Sequence, residues 1–145
     1  MNLVVDASVA VKWFVRETLH REALRLLDDP DRLHSIDLLA AEVTNIAWKK
    51  AVRGEIGKGQ AEEIAATIHR GTPVLYPSAP FAERALELAF ALRHPVYDCL
   101  YLACAEELGG VLISADAKFL RAARRGGFGE LVHALEEPLP SAGDA

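Results

Sequence analysis

The chain has 145 residues, 51% of them apolar, with 16 lysines and arginines against 21 aspartates and glutamates. That size and apolar content suit one compact domain, and the net charge of −5 means that any polyanion must find a local basic patch. No segment reaches the roughly 18 apolar residues that span a bilayer, and "MNLVVDASVA" lacks the basic start of a secretory leader, so a soluble, cytoplasmic protein without membrane contact is expected. Cys99 and Cys104 have no C-x-x-C or zinc spacing and the histidines are scattered, so two small core thiols are expected and a zinc site is not.

Along the chain, "NLVVDA" is a β-branched run of the kind that forms a strand buried on both faces, ending at Asp6. "SVAVKWFV" and "TLHREALRLLDDP" read as helices, the second with Leu19, Ala23, Leu26 and Leu27 on one stripe and stopped by Pro30. "RLHSI" is a brief strand, Asp37 stands at an N-cap position, and "LLAAEVTNIAWKKAVRG" is a long amphipathic helix closed at Gly54. "QAEEIAATIHRG" is a further helix, "TPVLYP" a strand between prolines, and "PFAERALELAFALRH" a helix with Pro80 near its start. "HPVYDCLYLACAEELGG" reads as a helix apolar on nearly every side, ended by Gly109 and Gly110. The strand "VLIS", the basic helix "ADAKFLRAARRGG" and a last strand "LVHAL" follow. Strands alternating with helices predict an α/β fold, a mostly parallel central sheet with helices on both faces. The domain is expected over 1–135, and the Pro-, Gly- and Ala-rich 136–145 is expected to be a flexible tail.

In open α/β sheets ligands sit beyond the carboxyl ends of the strands. Asp6 closes the first strand, Asp116 follows "VLIS", Asp98 opens the helix before that strand, and Glu42 lies one turn into the helix after the second strand. Each has an ordinary explanation: Asp6 and Asp116 as helix caps, Asp98 in a first turn favoured by the helix dipole, Glu42 as a solvated side chain. Together they fit those explanations less well, because Asp6 follows "LVV" and Asp98 lies within "PVYDCLYLACA", beside surface that must be buried. Two carboxylates about 4 Å apart repel by roughly 4 kcal/mol at an effective dielectric near 20. Something positive has to offset this, and an oxygen-only cluster suits a hard divalent cation such as Mg²⁺ or Mn²⁺.

The pieces "VVDASV", "LLAAEVTNIAW" and "VYDCLYLACAEELGGVLISADAKF", in this order and covering nearly the whole chain, resemble the PIN domain, specifically the VapC-type toxins of prokaryotic toxin–antitoxin systems. The resemblance implies a three-layer sandwich with four or five strands between helices, and Mg²⁺- or Mn²⁺-dependent endoribonuclease activity. It places the family's acidic residues at Asp6, Glu42, Asp98 and Asp116, and its small hydroxyl residue, most often Thr, at Ser114. Ser8 and Asn45 match positions often polar in the family and would support the acidic ones. The family's antitoxins, VapB-like partners, block the acidic site through their C-terminal segment, and the toxins commonly dimerise, so a cognate antitoxin and a homodimer are implied as well.

RNA has to be held despite the acidity. Lys12 and Arg16 follow Asp6, and Arg121, Arg124 and Arg125 follow Asp116, so cations are expected to flank the site; Lys49, Lys50 and Arg53 read as a solvated face. Trp13 and Trp48 read as core or interface residues, and Leu39, Val43, Ile46, Ile64 and Ile68 as a stripe that either closes the core or receives a partner helix. A receiver domain or a D-x-D phosphatase fails on residue type, since "VVDASV" has one aspartate and a serine at position 8. The alternative of another class is a non-catalytic PIN-like module that binds RNA or protein around a structural ion.

Overall fold

The structure, a computed structural model, describes residues 1–141. Among these residues five short strands form one sheet: β1 (Leu3–Val5), β2 (Leu33–Ile36), β3 (Val74–Tyr76), β4 (Val111–Ser114) and β5 (Val132–Ala134). Their order is β3-β2-β1-β4-β5 and every neighbouring pair is parallel, so the expected sheet is realised with five strands and no antiparallel edge. Parallel neighbours need crossover connections. The helices that supply them are α1 (Ala7–Ala10), α2 (His20–Leu26), α3 (Leu38–Val52), α4 (Lys58–Thr67), α5 (Ala82–Leu92), α6 (Val96–Glu107) and α7 (Ala117–Arg125).

The period of two along each strand sorts its side chains between two apolar clusters. Leu3, Val5, Leu33, Val111 and Ile113 meet Ala23 and Leu26 of α2 on one face. Val4, Ile36 and Leu112 meet the apolar sides of α3 to α7 on the other. Helix α6 is the centre of that second layer: Tyr101 to Ala105 are buried in succession and it touches β1, β2 and β4, which explains a sequence apolar on all sides. Cys99 and Cys104 are both buried, free thiols in that cluster. The helix ends on Gly109 (φ +63), and at Gly110 a Cβ would stand 2.1 Å from the carbonyl oxygen of Asn2, where the chain enters β4. Only glycine lets β4 come this close to the start of β1.

Several sequence expectations change in the structure. The helix after Asp6 is a single α turn continued by a 3₁₀ turn over Val11–Trp13. Leu19 takes a left-handed conformation (φ 67) before α2, and Leu27 is exposed, so the buried stripe of that helix is Ala23 and Leu26. Asp37 makes no cap bond; its Oδ1 accepts from the Ser78 amide, tying α3 to the loop after β3. Leu39, Val43, Ile64 and Ile68 close the core between α3 and α4, so that stripe is not an open groove. Trp13 packs on the core and donates its indole N–H to Ala23, whereas Trp48 is 60% exposed.

Residues 136–141 of the expected tail make contacts with the domain. Arg124 pairs with Glu137 at 2.8 Å, Arg32 donates to the Pro140 carbonyl, and Leu139 packs against the second cluster. Residues 142–145 of that expected tail lie outside the described residues. Among the described residues no helix is long and apolar enough to cross a membrane.

Candidate active site

The chain leaves β1 toward β2 and β3 on one side and returns to β4 on the other, so the strand order reverses between β1 and β4. A doubly wound sheet opens a crevice at such a switch point, beyond the carboxyl ends of the strands. Here it is a cleft of about 170 Å³ lined by Asp6, Ala7, Ser8, Glu42, Ile46, Asp98 and Asp116. All four carboxylates identified in the sequence meet in it.

Asp6 follows β1 directly and is 5% exposed. Its Oδ1 accepts from the Ser8 hydroxyl (2.5 Å) and the Val9 amide (3.2 Å), and its Oδ2 from the Ser114 hydroxyl (2.5 Å). The cap reading of Asp6 is therefore correct as far as it goes, since Val9 lies in α1. Ser8 and Ser114 also accept from the amides of Ala115 and Asp116, so two hydroxyls lock the end of β1 to the end of β4. Burial nevertheless pushes the Asp6 carboxyl up to about 7, with the three donors working against it and the negative charge of Asp98 adding to it.

Glu42 projects from α3 and its Oε1 accepts from the hydroxyl of Tyr101, a fully buried side chain of α6, at 2.5 Å. Burial raises its proton affinity, the Tyr101 hydrogen bond lowers it, and Asp98 raises it further. Asp98, in the first turn of α6, has its Oδ2 2.5 Å from Nε2 of His94. Asp116 caps α7: its Oδ1 accepts from the amides of Lys118 and Phe119. Among the described residues no lysine or arginine forms an ion pair with any of the four carboxylates.

The supporting residues divide. Ser8 and Ser114 are in the network, but Asn45 is exposed and the cleft wall is completed by Ile46 instead. The helix turns 100° per residue, so a side chain four positions after Glu42 lies closer to its direction than one three positions after it. Burial of Leu39, Val43 and Ala47 then fixes which of the two faces the cleft. None of the five cations lines it. Lys12 pairs with Glu17 (3.3 Å) and Arg124 with Glu137, while Arg16, Arg121 and Arg125 are exposed. Sequence reading missed His94 and Tyr101. The available signals were a histidine just ahead of the helix that carries Asp98, and a phenol hydroxyl inside a helix otherwise apolar on nearly every side, which needs a partner when buried.

The donors lining the cleft are all oxygen, with neither His nor Cys, which is the chemistry of a hard divalent cation. Among the described residues no three acidic, His or Cys side chains close on one point as a ready ligand set.

This architecture defines a doubly wound α/β protein with an acidic crevice at its switch point. The PIN domain model matches residues 3–125. "Ribonuclease VapC3" of Pyrobaculum aerophilum is 36% identical, across 80% of this chain and 90% of that protein, and "Ribonuclease VapC9" of Mycobacterium tuberculosis is 28% identical across 80% and 87%. The chain belongs to the PIN-domain family and, within it, to the VapC ribonucleases. Two solved structures share the fold. PAE2754 from Pyrobaculum aerophilum superposes with a TM-score of 0.71 at 22% identity, covering 94% of this chain and 85% of that one. VapC20 of Mycobacterium tuberculosis, a sarcin–ricin loop cleaving toxin, gives 0.62 at 21% identity, covering 83% and 95%.

Proposed function

We propose that the chain is the toxin of a toxin–antitoxin pair, an endoribonuclease that hydrolyses RNA phosphodiester bonds in the acidic cleft with Mg²⁺ or Mn²⁺ bound there. The observation that carries this reading is Asp6, a buried carboxylate at the switch point that shares its cleft with three others and has no lysine or arginine partner among the described residues. Asp6 and Asp98 would hold the cation directly, and Asp116 and Glu42 would complete the site directly or through water. Bound there, the cation supplies the Lewis acidity and positive charge that phosphodiester hydrolysis needs.

The chain's own contribution is to place oxygens. Ser8 and Ser114 hold both carboxylate oxygens of Asp6, and Tyr101 holds one of Glu42. Each serine hydroxyl is engaged both with Asp6 and with a backbone amide, and among the described residues neither pairs with a histidine, so the reading gives them the role of holding Asp6. The exposed Arg16, Arg121 and Arg125, joined by Lys12 and Arg124 if they exchange Glu17 and Glu137 for phosphate, would carry the RNA backbone past the cleft.

Two exposed apolar faces support protein partners. Trp48 and Val52 of α3 are 60% and 68% exposed one turn apart, and Leu86 and Phe90 of α5 are 50% and 77% exposed one turn apart, so each helix presents a paired apolar surface. A VapB-like antitoxin and a second copy of the chain are the occupants this reading assigns to them, in the cytoplasm where such an RNA target would be met.

The test is cleavage of an end-labelled structured RNA by protein freed of any partner, in Mg²⁺, Mn²⁺ or EDTA, beside Asp6→Asn and Asp98→Asn. Metal-dependent cuts that vanish in both variants are expected. Silence of the wild type on several RNAs, with RNA still bound, would favour the non-catalytic module.

A further inference from the structure

We infer that His94 is a positioning residue for Asp98, holding that carboxylate in the orientation that serves the cleft; this rests on the metal-site reading above. His94 is not in the cleft wall. Its side chain is 7% exposed, while the lining on that side is Asp98 itself, so the imidazole stands behind the carboxylate. Its Nε2 lies 2.5 Å from Asp98 Oδ2, the distance of a strong hydrogen bond, and a nitrogen that donates there fixes which oxygen is turned away from the cleft.

His94 is itself held, by its backbone at both ends and by its ring on one face. It comes before α6, not from within it: Arg93 turns the chain with a left-handed conformation (φ 52), and Pro95 follows as the N-cap of the helix. The His94 amide donates to the Ala89 carbonyl of α5 at 3.1 Å, and its carbonyl accepts from the Cys99 thiol. Its ring packs against Phe119 of α7, centroids 4.9 Å apart. Phe119 in turn donates its amide to Asp116. One buried ring thus ties the first turn of α6, which carries Asp98, to the first turn of α7, which Asp116 caps. The Asp98 side chain is 29% exposed, and among the described residues the bond to His94 is the one hydrogen bond on its carboxylate. Groups that orient ligands in this way typically change metal affinity or activity by about 10- to 100-fold when removed.

Mn²⁺ binding to the purified full chain, followed by the EPR signal of the free ion, tests this without reference to activity. Wild type is compared with Asp98→Asn, His94→Leu and His94→Gln; the glutamine amide nitrogen reaches about as far as imidazole Nε2. His94→Leu is expected to weaken Mn²⁺ binding by about tenfold or more and to raise the Mn²⁺ concentration that half-saturates cleavage. His94→Gln is expected to recover most of both. If His94→Leu does not fold, His94→Asn, whose amide is too short to reach Asp98, replaces it in the comparison with His94→Gln. Affinity lost in Asp98→Asn but equal to wild type in the His94 variants would overturn the positioning role and leave the metal site standing. A wild type that binds no Mn²⁺, or an Asp98→Asn that binds it as wild type does, would overturn the site reading and this inference with it.

Discussion

Tyr101 and Glu42, 59 residues apart in the chain, are joined by a 2.5 Å hydrogen bond in which a wholly buried phenol on α6 donates to a carboxylate on α3. Burial and the nearby carboxylates push the phenol pKa upward, so it remains a donor across the working pH range. The pair joins the two helices that carry Glu42 and Asp98.

Tyr101→Phe keeps the ring and removes only the hydroxyl. Losing a hydrogen bond to a charged group is expected to cost about 1.5–3 kcal/mol, and the freed Glu42 should lower cleavage by about tenfold, as loss of an outer partner does at other metal sites. Urea denaturation and cleavage rates on one RNA check the two effects separately. Unchanged cleavage with lowered stability would limit Tyr101 to holding α3 on α6.

Ser114 is buried between Asp6 and the Asp116 amide. Ser114→Ala strands an acceptor and a donor at once, which predicts a loss of about 2–4 kcal/mol at neutral pH. Ser114→Thr keeps the hydroxyl and should retain most of both stability and cleavage.

The metal-free protein should lose stability as pH rises from about 4 to about 7. Asp6 is held near 7 in the folded state against an ordinary 3.8, so between these values the folded chain binds more protons than the unfolded one. Stability then falls with increasing pH, by on the order of 4 kcal/mol at most, and the contribution is gone above 7. Glu42 acts in the same direction, and Glu17 and Glu106, lowered by Lys50 and Arg84, act in the opposite one, so the measurement is the difference between wild type and Asp6→Asn. Mn²⁺ should raise the melting temperature more at pH 8 than at pH 5, because cation and proton compete for the same oxygens.

Gly110→Ala places a methyl group 2.1 Å from the Asn2 carbonyl oxygen, a backbone atom that also accepts the Val111 amide at 3.1 Å. Either β4 or the start of β1 has to move. A loss of about 3 kcal/mol or more is expected in thermal or urea unfolding. The same change at Gly59, inside α4 with nothing within 4 Å, should be neutral or slightly stabilising.

The sequence by itself determined the layers. Apolar runs such as "LVV" and "VLIS" are too short for helices and too unbroken for a one-sided sheet, and the helical stretches between them force parallel pairing. It also named the four carboxylates: Asp6 and Asp98 because an aspartate beside "LVV" or inside "VYDCLYLACA" conflicts with burial unless it has a partner, and Asp116 and Glu42 because they follow strand ends. Tertiary structure alone decided what stands around them. The strand order set Asp6 and Asp116 on neighbouring strand ends, and packing of Leu39 and Val43 turned Ile46 to the cleft and Asn45 to solvent. The Tyr101 partner of Glu42 and the anchoring of Glu137 and Pro140 depend on contacts between separate segments, and the His94 ring, though close to Asp98 in sequence, is fixed by packing on Phe119 of α7. Local propensity records which residues are buried, whereas the direction of each buried polar group is settled only when the elements that enclose it have packed.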